Sequence, residues 1–316
     1  MCCSDQRILC FWIMQTNYHI FHRKQDIGKR ISLLHREETM SIGLMAVDAG
    51  ESLAGAIEAI LQYSSWSVHV LMHEEQGRIP ELRSRFPQAT FIVFAQSVPF
   101  GTMANAMANE CYTTFFFLTR SDLRCSRFDS EEAIALLHRS DKPAAITPVL
   151  SNRLGELIPV IQAPMLRDGM VDPVSFLPGS AILPTLYPFL GMGLYERALF
   201  QRLRGFDEAV ESEYWQVLDF GLRAWLYGYP ILNSPCISCT FLNRQFIIED
   251  RSERDGIKRV HTKALGVRQM NGKNYPKRPG KYSDAHVHAE VKKRLALYKT
   301  DFQQLVEQWK APGDTL

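Results

Sequence analysis

The chain lacks a strong excess of either charge. Its 316 residues include 36 Lys and Arg against 34 Asp and Glu, which gives a formal net charge of +2. Proteins that bind DNA or RNA usually present a clustered basic surface, so this balance predicts that nucleic acid is not a partner. With 46% hydrophobic and 22% charged residues, the chain has the composition of a globular protein with a full hydrophobic core.

A cysteine framework and a long apolar run are also missing. The seven cysteines are odd in number and scattered along the chain, which favours reduced thiols and predicts a cytoplasmic location. The most apolar early segment, residues 8–14, is far shorter than the roughly 20 residues that span a bilayer. Peripheral membrane contact stays open, although no basic amphipathic helix supports it.

Several familiar catalytic and binding motifs are absent. The sequence contains no Gly-x-Gly-x-x-Gly, Walker or Gly-x-Ser-x-Gly pattern. It therefore gives no motif evidence that the chain is a dinucleotide oxidoreductase, a P-loop NTPase or a serine hydrolase. A lone Cys236-x-x-Cys239 has no second pair to complete the four ligands of a zinc site. We interpret these two cysteines as buried thiols.

Alternating strand and helix patterns predict an α/β fold. Repeated strand-helix units are typical of a mostly parallel central sheet flanked by helices. Strand-like apolar segments lie at residues 42–47, 68–72, 90–94, 115–118 and 144–149.

The same patterns divide the chain into three parts. We expect a poorly ordered leader over residues 1–39, with Met40 as the first residue of the fold, and a sheet domain over residues 40–245. Within that domain, residues 151–193 are rich in Pro and Gly and are expected to form substrate-facing loops. Residues 246–316 are expected to form a C-terminal extension ending in one helix over residues 284–309.

One segment of the sheet domain resembles a known family. Gly205-Phe206-Asp207-Glu208 is followed by Asp219, Arg223 and Gly228-Tyr229, an order similar to the acceptor-side segment of family-two glycosyltransferases with the GT-A (Rossmann-like) fold. The similarity covers roughly residues 40–240. The resemblance implies a glycosyltransferase of the hexosyltransferase type, which moves a sugar from a nucleotide-diphosphate donor to a hydroxyl of a glycan, lipid-linked or protein acceptor with inversion at the anomeric carbon.

Donor binding is expected where the first strands end. Ligands of such sheets collect at the carboxyl ends of strands, which favours Asp48 after the first strand. Glu74 follows the second strand, where the family has an acid that reads the base, although a solvated loop explains Glu74 equally well. The resemblance also assigns donor binding to Asn105.

The metal-binding turn of the family is degenerate in this chain. Thr119 and Ser121 stand where the two acids of Asp-x-Asp should be, and only Asp122 follows them. Three interpretations are open. Asp122 binds a divalent cation, Mn²⁺ or Mg²⁺, with help from hydroxyl groups and phosphate; Arg120 and Arg124 replace the cation by pairing with phosphate directly; or Asp122 only caps the turn.

The catalytic Glu-Asp pair of the family falls on Gln216 and Val217. Helical spacing places Gln216, Asp219 and Arg223 on one stripe, so we expect Asp219 to be the general base and Asp207, Gln216 and Arg223 to contact the acceptor. The alternative for Asp219 is an i,i+4 ion pair with Arg223.

The loss of these carboxylates supports a second hypothesis. A catalytically inactive GT-A-like protein would keep the fold and bind a sugar nucleotide or a protein partner. The enzyme hypothesis requires the distant acids Asp48, Asp122 and Asp219 to line one cleft.

Overall fold

Ten strands form one mixed sheet in the computed structural model, which describes residues 18–24, 39–47, 51–252 and 254–309. The prediction for Asp48 and most of those for residues 1–39 lie outside the described residues. Six further strands form three separate two-stranded ribbons. The strands are β1 (Tyr18–Phe21), β2 (Met40–Met45), β3 (Ser67–His73), β4 (Thr90–Phe94), β5 (Phe115–Arg120), β6 (Leu123–Phe128), β7 (Ala145–Ser151), β8 (Ile161–Ala163), β9 (Leu166–Arg167), β10 (Met170–Val171), β11 (Val174–Phe176), β12 (Leu183–Pro184), β13 (Gly193–Glu196), β14 (Ile231–Phe241), β15 (Val267–Met270) and β16 (Lys273–Pro276).

Helices connect the strands and cover the sheet. None of the helices in the described segments is long and apolar enough to cross a membrane. The helices are α1 (Glu51–Tyr63), α2 (Ile79–Arg85), α3 (Phe100–Glu110), α4 (Ser130–Leu137), α5 (Arg197–Arg202), α6 (Glu213–Leu226), α7 (Ile257–Leu265), α8 (Ala285–Lys293) and α9 (Phe302–Gln308).

All but one of the central strands run in the same direction. The sheet order is β1-β4-β3-β2-β5-β13-β7-β14-β12, and β6 pairs with β14. β2, β3, β4 and β5 are mutually parallel, and β13 runs antiparallel to both β5 and β7, so β7 and its parallel neighbour β14 point the same way as β5. The predicted α/β fold with a mostly parallel sheet is confirmed. The carboxyl ends of β2, β3 and β5 therefore meet at one edge, where such folds bind ligands.

The C-terminal extension is part of the same core as the sheet. Val260, Val287 and Phe302 are buried in one hydrophobic cluster with Phe116 of β5 and Phe220 of α6. The predicted single helix over residues 284–309 is wrong, because α8 and α9 are separate.

The second of these helices starts at its own cap. The Asp301 carboxylate accepts a hydrogen bond from the backbone N–H of Gln304 (2.9 Å), and the Gln304 side chain accepts one from the N–H of Asp301 (3.2 Å). This reciprocal capping box begins a new helix and ends the extended segment before it.

Two further regions differ from expectation. β1 lies within the predicted leader, yet it pairs antiparallel with β4 at the sheet edge, and the Tyr18 hydroxyl donates to Glu110 at 2.5 Å. Residues 151–193 contain more regular structure than loops alone, because β8 pairs with β11 and β9 with β10.

Close packing of α6 gives a first prediction, on stability. A Cβ added at Gly221 would lie 2.2 Å from the carbonyl oxygen of Leu186 and 2.8 Å from Cα of Tyr187, which are backbone atoms that cannot move aside alone. Gly221→Ala is therefore expected to lower the free energy of unfolding by about 1–3 kcal/mol, measured by urea denaturation. Gly55→Ala on α1, where no atom lies within 4 Å, should instead raise it by roughly 0.5–1 kcal/mol. Equal effects of the two variants would contradict this packing.

Candidate functional site

A cavity of about 330 Å³ opens beside the carboxyl end of β5, between that strand, the start of α6 and residues 244–250. We call it the first cavity. Its basic groups are the guanidinium groups of Arg120 and Arg244, and its apolar wall includes Val217. The lining thus combines guanidinium groups, which can pair with phosphate, with carboxylates, which can accept hydrogen bonds from hydroxyl groups. The carboxylates of the lining belong to Glu211, Glu213, Glu249 and Asp250.

The turn after β5 is organised by Asp122. This carboxylate is buried, with Oδ1 lying 3.3 Å from Nε of Arg120 and Oδ2 lying 2.9 Å from Nε of Arg244. Ser121 Oγ accepts a hydrogen bond from the N–H of Val47 at 3.0 Å, which ties the turn to the end of β2. The second guanidinium group beside Asp122 is thus that of Arg244, whereas Arg124 lies exposed on β6.

The same contacts decide how well a divalent cation fits this turn. Oδ1 of Asp122 accepts a hydrogen bond from Arg120, and Oδ2 lies 2.9 Å from Nε of Arg244 without a hydrogen bond. Asp122 is thus the one carboxylate of the turn, and the neighbouring positions 119 and 121 supply only hydroxyls. Mn²⁺ and Mg²⁺ prefer several oxygen ligands that include free carboxylates. The described residues of the turn therefore do not fit a divalent cation, and the arrangement favours the interpretation in which guanidinium groups meet the phosphate.

Glu213 lies in the first turn of α6 and faces the first cavity. Its Oε1 lies 3.1 Å from Nη1 of Arg120, and 36% of its side-chain surface remains exposed. Burial raises the pKa of the Glu213 carboxyl, and the charges of Arg120 and Arg244 act in the opposite direction. A carboxylate with a raised pKa that is open to a cavity can accept a proton from a bound hydroxyl group.

Val217 lines the same cavity one helical turn after Glu213. The family resemblance places a catalytic carboxylate at position 217, so the chain has an apolar side chain there and a carboxylate four residues earlier on the same face. Sequence reasoning missed Glu213, although the i−4 spacing from Val217 was a usable signal. Arg244 and Glu249 follow β14 in a segment without periodicity, and no sequence signal indicated them.

Asp219 is a member of an ion-pair network. It is 1% exposed; Oδ2 accepts from Nε of Arg223 at 2.7 Å, and Oδ1 accepts from Nζ of Lys263 at 2.8 Å. Arg223 also donates to the carbonyl oxygens of Leu203 and Gly205. The structure thus contains the i,i+4 ion pair that the sequence offered as the alternative to a catalytic base. Both oxygens of Asp219 are occupied by cations.

A second cavity, also of about 330 Å³, is lined by other predicted residues, among them Asn105, Asp207 and Arg223. Although burial alone would raise the pKa of Asp207, its contacts with Lys263 and Arg259 hold that pKa well below its usual range. Asp207 is therefore a half-buried anion between two cations.

Asn105 and Gln216 hold backbone segments together. Asn105 Nδ2 donates to the carbonyl oxygen of Phe206 (2.9 Å) and to Glu208 (2.7 Å), and Asn105 Oδ1 accepts from the N–H of Phe206 (2.9 Å). Gln216 is fully buried, accepting from the N–H of Gly101 (2.8 Å) and donating to the carbonyl oxygen of Val210 (2.6 Å). The hydrogen bonds to neighbouring backbone segments explain why Asn stands at position 105 and Gln at position 216.

The predicted site residues therefore form two groups. Arg120 lines the first cavity and contacts Asp122 behind it, whereas Asn105, Asp207 and Arg223 line the second. Neither Asp122 nor Asp219 lines either of these two cavities. Glu74 is exposed in a 3₁₀ turn after β3. Cys236 and Cys239 are buried free thiols, as predicted.

Glu249 gives a prediction about pH. Its Oε2 accepts from the Tyr187 hydroxyl at 2.7 Å, and burial raises its pKa from 4.5 to about 6. The folded state thus favours the protonated form, a stabilisation that is complete below about pH 4.5 and is lost as the pH rises through about 6. Glu249→Gln, which stays neutral, should be about 2 kcal/mol more stable than the wild type at pH 8 and nearly equal to it at pH 4.5, measured by urea unfolding. The exposed Glu131→Gln is the control, and a pH-independent effect at Glu249 would contradict this assignment.

Comparisons with known proteins support the fold. No protein-family model and no curated protein sequence matches the chain. Among solved structures, the chain is similar to GalNAc-T7 crystallised with UDP, GalNAc and Mn²⁺, with a TM-score of 0.64 and 9% sequence identity over 87% of this chain. The match covers 57% of the GalNAc-T7 chain. A structure of S. aureus TarS 1-349 is also similar, with a TM-score of 0.46 and 13% identity over 63% of this chain and 60% of that chain. At 9% identity the first likeness shows the fold, and it agrees with the predicted GT-A-like architecture.

Proposed function

We propose that this chain is a glycosyltransferase that moves a sugar from a nucleoside-diphosphate donor to a hydroxyl group of a glycan, lipid-linked or protein acceptor. The proposal rests on one observation: Arg120, Arg244 and Glu213 line the same cavity at the carboxyl end of β5. GalNAc-T7, which has a similar fold, was crystallised with UDP and GalNAc, which supports a nucleotide-sugar donor here.

The proposed donor site uses guanidinium groups. Arg120 and Arg244 contact the diphosphate, and Asp122 fixes the position of both through its two oxygens. Positive charge at this point stabilises the negative charge that develops on the leaving nucleoside diphosphate. Asp48 and Glu74, which follow β2 and β3 in the sequence, remain the proposed contacts of the nucleoside.

Glu213, in place of Asp219, is the proposed general base. It takes the proton of the acceptor hydroxyl while that oxygen forms a bond to the anomeric carbon of the donor. The bond between that carbon and the phosphate oxygen breaks, and its electron pair leaves with the nucleoside diphosphate. A single displacement of this kind inverts the anomeric configuration.

A second candidate is a GT-A-like protein that binds the donor without turnover. Val217 at the position of the family's catalytic carboxylate favours it, because an apolar side chain there cannot accept a proton. The two candidates make the same prediction for donor binding and opposite predictions for nucleoside-diphosphate release.

Donor binding is the test shared by both candidates. Titration calorimetry of a panel of nucleoside-diphosphate sugars, in the presence of EDTA, should give saturable binding for at least one donor. Arg120→Ala is expected to weaken that binding by about tenfold or more, because a charged hydrogen bond to phosphate contributes at least about 1.5 kcal/mol. The exposed Arg124→Ala is the matched control. Binding that requires Mn²⁺, or that Arg120→Ala leaves unchanged, would contradict the guanidinium site.

A further inference from the structure

The second cavity is chemically and spatially separate from the first. The two cavities share no lining residue, and they lie on different faces of α6, with Glu213 and Val217 facing the first and Arg223 the second. The second lining has five cations against three carboxylates, whereas the first has more carboxylates than cations. Its charged residues are Arg204, Arg223, Arg259, Lys263, Arg294, Asp207, Glu208 and Glu290.

Most of these cations already have counter-charges. Lys263 and Arg259 contact Asp207, and Arg223 pairs with Asp219. In the part of the chain that the structure describes, Arg204 and Arg294 form no ion pair with a carboxylate. These two guanidinium groups are therefore the cations of the cavity that no described carboxylate contacts. Of the cavity's carboxylates, Glu290 lies 3.8 Å from Arg259, and Glu208 forms no ion pair within the described residues.

Arg204 directly follows the C-cap of helix α5 and is in the left-handed backbone conformation. Its φ of +66° lies in the left-handed region, which residues with a side chain rarely adopt. This is the common left-handed end of a helix, because the N–H of Arg204 donates to the carbonyl oxygen of Gln201 and the N–H of Gly205 donates to that of Phe200. Here the Arg223 guanidinium bonds to the carbonyl oxygens of Leu203 and Gly205 on either side of Arg204, which fixes Arg204 at the rim of the cavity.

We propose that the second cavity binds a sugar that carries a phosphate monoester. Arg204 and Arg294 contact the phosphate, because the planar donor pairs of guanidinium groups match phosphate oxygens. Glu208 and Glu290 accept hydrogen bonds from the sugar hydroxyls. The cavity volume lies within the range of small-molecule sites. This binding does not depend on the transfer reaction.

Titration calorimetry with glucose 6-phosphate tests this site. We expect saturable binding that is at least about tenfold tighter than that of inorganic phosphate or glucose, and that weakens as salt is added. Arg204→Gln and Arg294→Gln should each weaken it by about tenfold or more. Arg202→Gln, an equal charge change on the exposed end of α5, is the control and should leave it unchanged.

Stability of the variants is checked by thermal unfolding. If Arg204→Gln fails to fold, Arg204→Gly removes the same guanidinium group and suits the positive φ. No saturable binding of glucose 6-phosphate, binding unaffected by the loss of both arginines, or equal affinity for inorganic phosphate would overturn the proposal. No nucleotide is present in this titration. A negative result would therefore overturn the second site only, and the glycosyltransferase proposal is tested separately by donor binding and turnover.

Discussion

Glu213→Gln is expected to reduce kcat for sugar transfer by about 10²–10⁴-fold, the range that a general base contributes. The Gln side chain keeps the size of Glu and can still accept a hydrogen bond from Arg120, but it cannot take a proton from the acceptor hydroxyl. Donor affinity, measured by calorimetry, should therefore change little. The loss should appear in turnover measured as release of nucleoside diphosphate.

Two comparisons make the Glu213 result specific. The exposed Glu131→Gln on α4 has the same chemical change and should keep full turnover. The pH profile of the wild type should have an acid limb that reports the protonation of Glu213, with a midpoint above the ordinary range of Glu because burial raises this pKa. Full turnover in Glu213→Gln would exclude Glu213 as the base.

Asp219→Asn is expected to lower the free energy of unfolding by about 3–5 kcal/mol, because removing one partner of a buried ion pair leaves the other charge uncompensated. Asp219 is the shared counter-charge of Arg223 and Lys263, and all three side chains are buried. Urea denaturation at neutral pH measures the effect.

An exposed ion pair provides the control for Asp219. Glu81 pairs with Arg78 at 2.7 Å on the surface, so Glu81→Gln should cost less than about 1 kcal/mol. If Asp219→Asn kept wild-type stability and abolished transfer, Asp219 would be the catalytic base and the proposal for Glu213 would be wrong.

The sheet could be predicted because its strands carry their own signals. β2, β4 and β5 are short apolar runs that are buried along their length, and such runs between helical patterns are typical of central parallel strands. β1 was missed because it is four residues long, lies in a charged region and depends on pairing with β4. The break between α8 and α9 had a signal, the Asp301-x-x-Gln304 capping box, but the apolar stripe that continues across it favoured one helix.

The site was predictable only in part, because its residues come from distant parts of the chain. The turn after β5 was found through the family resemblance, and Arg120 and Asp122 do meet there. Arg244 reaches that turn from the segment after β14, and Lys263 reaches Asp219 from α7. Neither contact has a local pattern, since each depends on how the C-terminal segment packs against the sheet. Spacing alone therefore could not show whether Asp219 is a catalytic base or a member of an ion-pair network.

The most direct measurement is nucleoside-diphosphate release from a panel of donor sugars by the purified chain in EDTA. The account predicts release from at least one donor, strong reduction of that release by Glu213→Gln, and donor binding weakened about tenfold or more by Arg120→Ala. Release that Glu213→Gln and Arg120→Ala leave unchanged, or no release from any donor by the folded wild type, would contradict it.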